Sequence, residues 1–269
     1  MKPFNFLFLI FFALWTVSSF AQTTDALPLR LKVGSYNVGH FNQGSLGGFQ
    51  SLKNQAQAEI QNWKRWVSEQ HLDIVAVQEW NHFFDKDSLH HAAKSILDPF
   101  YNNIHFGTQN SWIYNGIATN FVLVNLREVK LGGQYYVILG DINIGGKTLT
   151  VGSVHVPWQK EMHDGALETL IGELKKYEYF ICMGDMNAKD EEQLRFTEAG
   201  FHMANGGHQG WFSTAASKQI NSGHKGGADT NIDNIVTSPN IKIFNVSAPK
   251  TGLNDLDHLP IIADIVLTW

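Results

Sequence analysis

The chain has 269 residues, a formal net charge of −5 and 43% apolar residues. This length suits one large domain, and the apolar content is high enough to form a sizeable core. The acidic balance argues against a tight, non-catalytic nucleic-acid binder. It leaves a nuclease open, because divalent cations can supply positive charge beside a phosphate.

The amino terminus has the pattern of a secretory signal peptide. Lys2 supplies a positive start, Phe6–Val17 is almost entirely apolar, and Ser19 and Ala21 place small residues where signal peptidase reads them. The apolar run is shorter than the roughly 20 residues of a membrane span. We expect residues 1–21 to be removed and residues 22–269 to form one secreted or periplasmic domain without a membrane span.

Strands and helices alternate in the first half of the mature chain. Leu29–Val38 is a predicted strand, followed by a glycine-rich loop at Gly44–Gly48. Apolar residues recur at steps of three and four from Leu52 to Val67, which predicts an amphipathic helix. Ile74–Val77 is a second apolar strand, and Ser88–Leu97 is a second predicted helix.

Strands dominate the second half. The Gly145-Gly146 pair predicts a tight turn between two strands, and Asn205–Ala228 has the composition of a loop. The alternation of elements favours a single mixed-sheet domain with helices outside. Strands are predicted at Gly116–Val124, Tyr135–Ile144, Lys147–Val156, Tyr179–Met183, Ile232–Thr237, Ile241–Val246 and Ile261–Leu267, and helices at Met162–Lys176 and Glu191–Ala199.

One stretch combines a buried strand with polar residues directly after it. The apolar run Tyr179–Met183 contains Cys182, the only Cys of the chain, so no intrachain disulfide is available. Asp185 and Asn187 follow the run, at the position where open α/β sheets usually bind ligands. The alternative is a turn in which both side chains bond to their own backbone.

Similar polar residues follow other predicted strands, which indicates a composite site. Carboxylate and amide oxygens from Asn37, Glu79 and Asp257 suit a hard cation such as Mg²⁺, with Mn²⁺ or Ca²⁺ as alternatives. His258 can donate a hydrogen bond to a phosphate oxygen, while Asp185 can orient or deprotonate an attacking water. This chemistry is hydrolysis of a phosphate ester.

The ordered set of motifs resembles the endonuclease/exonuclease/phosphatase superfamily over nearly the whole mature chain. The motifs are Tyr36-Asn37, Gln78-Glu79, His155-Val156-Pro157, Gly184-Asp185-Met186-Asn187, Ile232-Asp233-Asn234-Ile235 and Asp257-His258-Leu259-Pro260.

The resemblance implies a fold and a set of roles. The fold is a four-layered α/β sandwich of the deoxyribonuclease I-like type, with two mixed β-sheets packed face to face and helices outside. Glu79, with Asn37 and Asp257 nearby, is implied to hold the metal. His258 is implied to activate the phosphate, and Asp233 to orient the catalytic histidine. Asp185 and Asn187 are implied to handle the attacking water and any second metal. His155 is implied to protonate the leaving group or to contact the phosphate.

The substrate is left open among phosphate esters. We expect a phosphodiesterase or nuclease, with a phosphomonoesterase acting on small sugar, inositol or nucleotide phosphates as the alternative. A non-catalytic binding or toxin-like subunit is a second alternative, disfavoured by the intact residue set. Trp80 follows Glu79 where deoxyribonuclease-like enzymes often carry Arg, which disfavours double-stranded DNA. We expect a monomer, in which His224 and Lys225 either contact a substrate phosphate or belong to a solvated loop.

Overall fold

Two six-stranded β-sheets are present among the residues that the computed structural model describes, which are 28–42, 56–82, 91–108, 113–218 and 227–269. The predicted signal peptide, the loop at Gly44–Gly48 and the pair His224-Lys225 lie outside these residues. The strands are β1 (Leu29–Asn37), β2 (Ile74–Asn81), β3 (Asn103–Phe106), β4 (Ile113–Thr119), β5 (Val124–Gly132), β6 (Tyr135–Ile144), β7 (Lys147–His155), β8 (Phe180–Asp185), β9 (His202–Met203), β10 (Asp233–Thr237), β11 (Lys242–Ser247) and β12 (Ile261–Leu267). The helices are α1 (Ala56–Gln70), α2 (Ala92–Ile96), α3 (Lys160–Leu174) and α4 (Asp190–Glu198).

Each sheet contains one parallel pair of strands among antiparallel neighbours. The first sheet has the order β11-β12-β1-β2-β4-β3, with β1 parallel to β2. The second has the order β5-β6-β7-β8-β10-β9, with β7 parallel to β8. Parallel strands carry their carboxyl ends to the same edge of a sheet, so each sheet presents a pair of such ends for a site.

Three apolar clusters produce the predicted four layers. One lies between the sheets and includes Val33 and Ile181. A second covers the outer face of the first sheet, where Trp63 of α1 is 1% exposed. The third lies under α3 and α4 and includes Leu167 and the predicted buried thiol of Cys182. No helix within the described ranges is long and apolar enough to cross a membrane.

The strands absent from the sequence prediction are all edge strands. β3, β5 and β9 each have only one neighbour in their sheet, and β5 is mostly exposed along its length. An edge strand buries less apolar surface and therefore lacks a clear periodic pattern. The predicted strand Gly116–Val124 was placed too late, because β4 ends at Thr119 and Val124 already begins β5.

The β7–β8 pairing leaves no room for a side chain at Gly184. Its φ is +157°, and a Cβ there would overlap the backbone carbonyl of Val154 on β7. We expect Gly184→Ala to lower the free energy of unfolding by at least about 2 kcal/mol, because either the strand pairing or the backbone must distort.

Gly172 on α3 is the matched control. A Cβ there meets no atom within 4 Å, so Gly172→Ala should raise the free energy of unfolding by about 0.5–1 kcal/mol. Urea denaturation of both variants measures these values, and equal stabilities would contradict the close approach at Gly184.

Candidate active site

The ends of three strands and a residue within β2 meet at one edge of the sandwich. β1 ends in Asn37 and β8 in Asp185, and Asn37 Nδ2 donates to Asp185 Oδ2 over 3.0 Å. Glu79 on β2 lies 3.3 Å from the same Asn37 nitrogen. His155 ends β7, and its Nε2 lies 3.6 Å from Asp185 and 3.9 Å from Glu79. The cluster therefore combines two residues from each sheet.

Asp185 is a buried acid whose surroundings disfavour its charge. It is 2% exposed, and its Oδ1 accepts a hydrogen bond from the backbone N–H of Asn187 over 2.8 Å. Burial is the main cause that raises the pKa of Asp185, and the negative charge of Asp233 is the second. Nearby histidines act in the opposite direction, and the resulting pKa is about 6. A carboxylate with a pKa near neutrality can both accept and release a proton.

Asp233 and His258 form a buried hydrogen-bonded pair beside Asp185. Asp233 on β10 is the antiparallel partner of Asp185 on β8. The Nδ1 atom of His258 lies 3.0 Å from Asp233 Oδ2, and its Nε2 lies 3.8 Å from Asp185 Oδ2. Burial alone would lower the pKa of His258, but the charge and hydrogen bond of Asp233 raise it well above its usual value. The surroundings of His258 therefore favour its protonated form, and its Nε2 is directed at the cluster.

The loop that carries His258 is tied to the end of β1. Asn254 Nδ2 donates to the backbone carbonyl of Asn37 over 3.1 Å, and the Asn254 carbonyl accepts from the N–H groups of Asp257 and His258. Asp257 is half-buried on the wall of the cleft. Burial raises its pKa, and the charge of His258 partly opposes that rise.

Glu79 reaches the cluster through a β-bulge rather than at a strand end. The register of β2 shifts between Val77 and Trp80, and Glu79 has a φ of +51°. His40 Nε2 donates to Glu79 Oε2 over 2.7 Å. Burial opposes the charge of Glu79, but the hydrogen bond from His40 and the charges of nearby histidines outweigh it and lower the pKa of Glu79 to about 2.

A cleft of about 610 Å³ opens over these groups. Asn187 lies on its wall with a φ of +47°, and its Nδ2 donates to the carbonyl of Val156 over 2.8 Å. Other residues on the wall are Glu79, His155, Trp158, Lys218, Asp257 and His258.

The donor set suits a divalent cation. Asp233 Oδ1 is buried without a hydrogen-bond partner, and Asp185, Asp233 and His258 each offer a ligand atom within 4.8 Å of the others. Glu79 and Asp257 add two carboxylates to the same cleft. An oxygen-rich group of this kind fits Mg²⁺, Mn²⁺ or Ca²⁺.

Six of the eight predicted catalytic and metal residues line this cleft, and Asn37 and Asp233 lie behind them, bonded to Asp185 and His258. The amide oxygen of Asn37, which would be the metal-ligand atom, does not face the carboxylates. Its Oδ1 accepts a hydrogen bond from the Gly39 N–H, and its Nδ2 faces the carboxylates instead. Exchange of oxygen and nitrogen by rotation of the amide would direct Oδ1 at them. The predicted substrate contacts His224 and Lys225 lie outside the described residues.

His40 is a site residue that sequence reasoning missed. It follows Asn37-Val38-Gly39, and a glycine beside a polar residue at a strand end was the only available signal. Gly39, His40 and Phe41 all have left-handed φ values, of 53°, 54° and 58°. This unusual turn, which no local pattern predicts, directs the imidazole at Glu79.

Gln78, the neighbour of Glu79, was also missed, and it is wholly buried between the sheets. It accepts from Ser35 Oγ over 3.1 Å and donates to Ser153 Oγ over 3.0 Å. Gln78 therefore joins the two sheets beneath the cleft.

The comparisons with known proteins agree with this architecture. Residues 34–258 match the family described as "Endonuclease/Exonuclease/phosphatase family". No curated protein sequence matches the chain.

Several solved structures share the fold. A truncated TDP2 from Caenorhabditis elegans is 18% identical with a TM-score of 0.64, covering 88% of this chain and 98% of its own. A family protein from Bacteroides thetaiotaomicron is 16% identical with a TM-score of 0.63, covering 91% and 100%. TDP2 from D. rerio, solved with a single-strand DNA product, is 12% identical with a TM-score of 0.63, covering 88% and 98%.

The family match places the chain in a class of metal-dependent phosphoester hydrolases. The chain belongs to the endonuclease/exonuclease/phosphatase family.

The raised pKa of Asp185 implies that this carboxylate destabilises the folded protein at neutral pH. A rise from 3.8 to about 6 corresponds to roughly 3 kcal/mol. Because the folded-state pKa is the higher one, the cost is complete above pH 6 and absent below about pH 4. In chelator, Asp185→Asn should therefore raise the free energy of unfolding at pH 7 by about 1–3 kcal/mol, and the gain should vanish in acid.

Asp264 gives the control of opposite sign. A hydrogen bond from Arg30 lowers the pKa of Asp264, so Asp264→Asn should lose stability at neutral pH. Chemical denaturation of both variants between pH 4 and pH 7 measures the difference. A loss of stability in Asp185→Asn at pH 7 would refute the account of the buried charge.

Proposed function

We propose that this protein is a secreted or periplasmic, Mg²⁺-dependent phosphodiesterase of the nuclease type, in which water attacks the phosphate. The observation that carries the proposal is the position of Asp185, buried between the two sheets within 4 Å of Asn37, His155 and His258. The monomeric state and the removal of residues 1–21 are part of the same proposal.

Glu79 and Asp257, with Asn37, are the proposed metal ligands. Glu79 is ionised at all physiological pH values, since its pKa is about 2, and this favours cation binding. Mg²⁺ bound there would polarise the phosphoryl oxygen and offset charge on the leaving oxygen, and Mn²⁺ or Ca²⁺ could replace it. His40 holds one Glu79 oxygen and so sets the orientation of the carboxylate.

Asp185 is the proposed base. It removes a proton from water as the water oxygen forms its bond to phosphorus, and Asn187 holds the water or the phosphate in line. The raised pKa of Asp185 suits this exchange because the carboxylate is ionised at neutral pH yet basic enough to take the proton.

Two histidines complete the proposed reaction. His258 directs Nε2 into the cluster, where its protonated form can donate to a non-bridging phosphate oxygen, while Asp233 keeps Nδ1 occupied. His155 is the proposed donor of a proton to the leaving oxygen, or a phosphate contact. The P–O bond to the leaving group then breaks, and Asp185 carries the proton taken from water.

A substrate panel tests the function. The exported protein, expected to begin at Gln22, is assayed with Mg²⁺, Mn²⁺ or Ca²⁺ on supercoiled plasmid, single-stranded DNA, RNA, sphingomyelin and small phosphate monoesters. Hydrolysis of phosphodiesters that chelator abolishes is expected. Activity confined to monoesters would replace the diesterase with a phosphomonoesterase.

Removal of a proposed acid–base group should lower turnover strongly. We expect Asp185→Ala, His155→Ala and His258→Ala each to lower kcat by about two to four orders of magnitude. His202→Ala is the control, because His202 is exposed and bonds the Ile241 carbonyl away from the cleft. Wild-type turnover in Asp185→Ala would remove the water-activation assignment.

His40→Gly separates metal binding from folding. Glycine adopts the φ of 54° at this position without strain, so the free energy of unfolding should change by less than about 1 kcal/mol. Loss of the imidazole should weaken Mn²⁺ affinity by about 10- to 100-fold, the usual effect of removing a group that orients a ligand.

Isothermal titration calorimetry with Mn²⁺ and thermal unfolding measure the two quantities for His40→Gly. His40→Ala, which retains the backbone strain, should lose both stability and affinity. Unchanged Mn²⁺ affinity in both variants would exclude His40 from the metal site.

A further inference from the structure

Trp158 is a large aromatic residue that the fold leaves exposed at the mouth of the cleft. It is 68% exposed, whereas burial of an aromatic side chain normally stabilises a fold by about 1.5–3 kcal/mol. Single exposed apolar residues are common on protein surfaces. Trp158 differs because it lies on the wall of the catalytic cleft, three residues after His155.

The chain beside the indole is held in place despite the exposure of the ring. The next residue, Gln159, donates a hydrogen bond from Nε2 to the hydroxyl of Tyr135 over 3.4 Å. The Tyr135 ring in turn meets the His155 ring edge-on, at 5.4 Å between centroids and 89° between planes. The residue after Trp158 is thus tied to the ring that packs against His155, and the indole itself remains exposed to solvent.

An exposed indole on a segment held at the mouth of a cleft can bind flat rings by stacking. Three residues of chain span at most about 11 Å, so Trp158 lies within reach of a group attached to a phosphate held at His155. Stacking tolerates any base, because every nucleobase has a π-face. A neutral base also avoids repulsion by the carboxylates of Glu79 and Asp257 on the same walls, and Lys218 on the cleft lining can face a neighbouring phosphate.

We propose that Trp158 is the platform on which a nucleobase next to the scissile phosphate stacks, and that the substrate is therefore unpaired nucleic acid. This inference rests on the proposed phosphodiesterase function. A base within a duplex already stacks on its neighbours and would have to leave the helix to reach the indole. A single strand presents its bases without that cost.

Two matched substrates test the platform by activity. One is a short single-stranded thymidine oligonucleotide, and the other is a phosphodiester chain of equal length with abasic residues throughout. Trp158→Ala should lower kcat/KM on the thymidine oligonucleotide by about 5- to 150-fold and leave hydrolysis of the abasic chain unchanged. Trp158→Phe, which retains a ring, should recover most of the loss.

Phe244→Ala is the control variant. Phe244 is 46% exposed but lines a different cavity. Its removal should therefore leave kcat/KM unchanged on both substrates. Equal losses on both substrates in Trp158→Ala would show that Trp158 acts only on the shape of the site and would overturn the proposal. No loss on either substrate would overturn it as well.

A binding measurement separates this inference from the proposed function. Fluorescence anisotropy follows a fluorescein-labelled phosphorothioate thymidine oligonucleotide added to His258→Ala, with and without Trp158→Ala. If Trp158→Ala weakens oligonucleotide binding by about 5- to 150-fold, the platform is supported. This holds even if the wild-type protein cleaves no oligonucleotide, a result that would refute only the proposed phosphodiesterase function. Binding that does not depend on Trp158 overturns the platform even if cleavage occurs.

Discussion

The hydrogen bond from Asn37 to Asp185 joins the two sheets at the edge where the cleft opens. Packed sheets lie about 10 Å apart, and only side chains at matching positions can meet across that gap. Beneath this bond, Gln78 and Ser153 make a second polar contact between the sheets. Sliding of one sheet by a single residue would displace its side chains by about 3.3 Å and separate Glu79 from His155. The geometry of the site therefore depends on the packing of the whole sandwich.

The cluster is locally unfavourable, and the apolar layers around it offset that cost. Asp185 and Asp233 are both almost fully buried and face each other across paired strands. His40, Glu79 and Asn187 all have positive φ values, and such conformations cost about 1–3 kcal/mol each. Strain and buried charge commonly coincide at functional sites because reactivity and stability make opposite demands. The hydrogen bond between His258 and Asp233 partly offsets the burial of these acids.

Chemistry and selectivity come from different parts of the fold. The floor of the cleft includes His155 and Asp185 at strand ends, which the hydrogen bonds of the sheet hold rigidly. Among the described residues, the rim includes Trp158 after β7 and Lys218 in the loop between β9 and β10. Loops vary without disturbing a scaffold, so related proteins on this fold can share the floor and differ at the rim. The fold alone consequently does not define the substrate.

Local patterns in the sequence determined the elements that are buried on both faces. The bounds of β6 and β12 match the prediction, and the Gly145-Gly146 turn joins β6 to β7 as expected, with Ile144 opposite Lys147. The motif order also predicted which polar residues gather in the cleft. Only the tertiary structure decided the edge strands β3, β5 and β9, the bulge at Glu79 and the contact between His40 and Glu79. Each of these features depends on partners that are distant in the chain. An edge strand forms by pairing with a single neighbouring strand, and the bulge depends on the register between β2 and β4. The His40 contact depends on a left-handed turn, which residue periodicity does not encode.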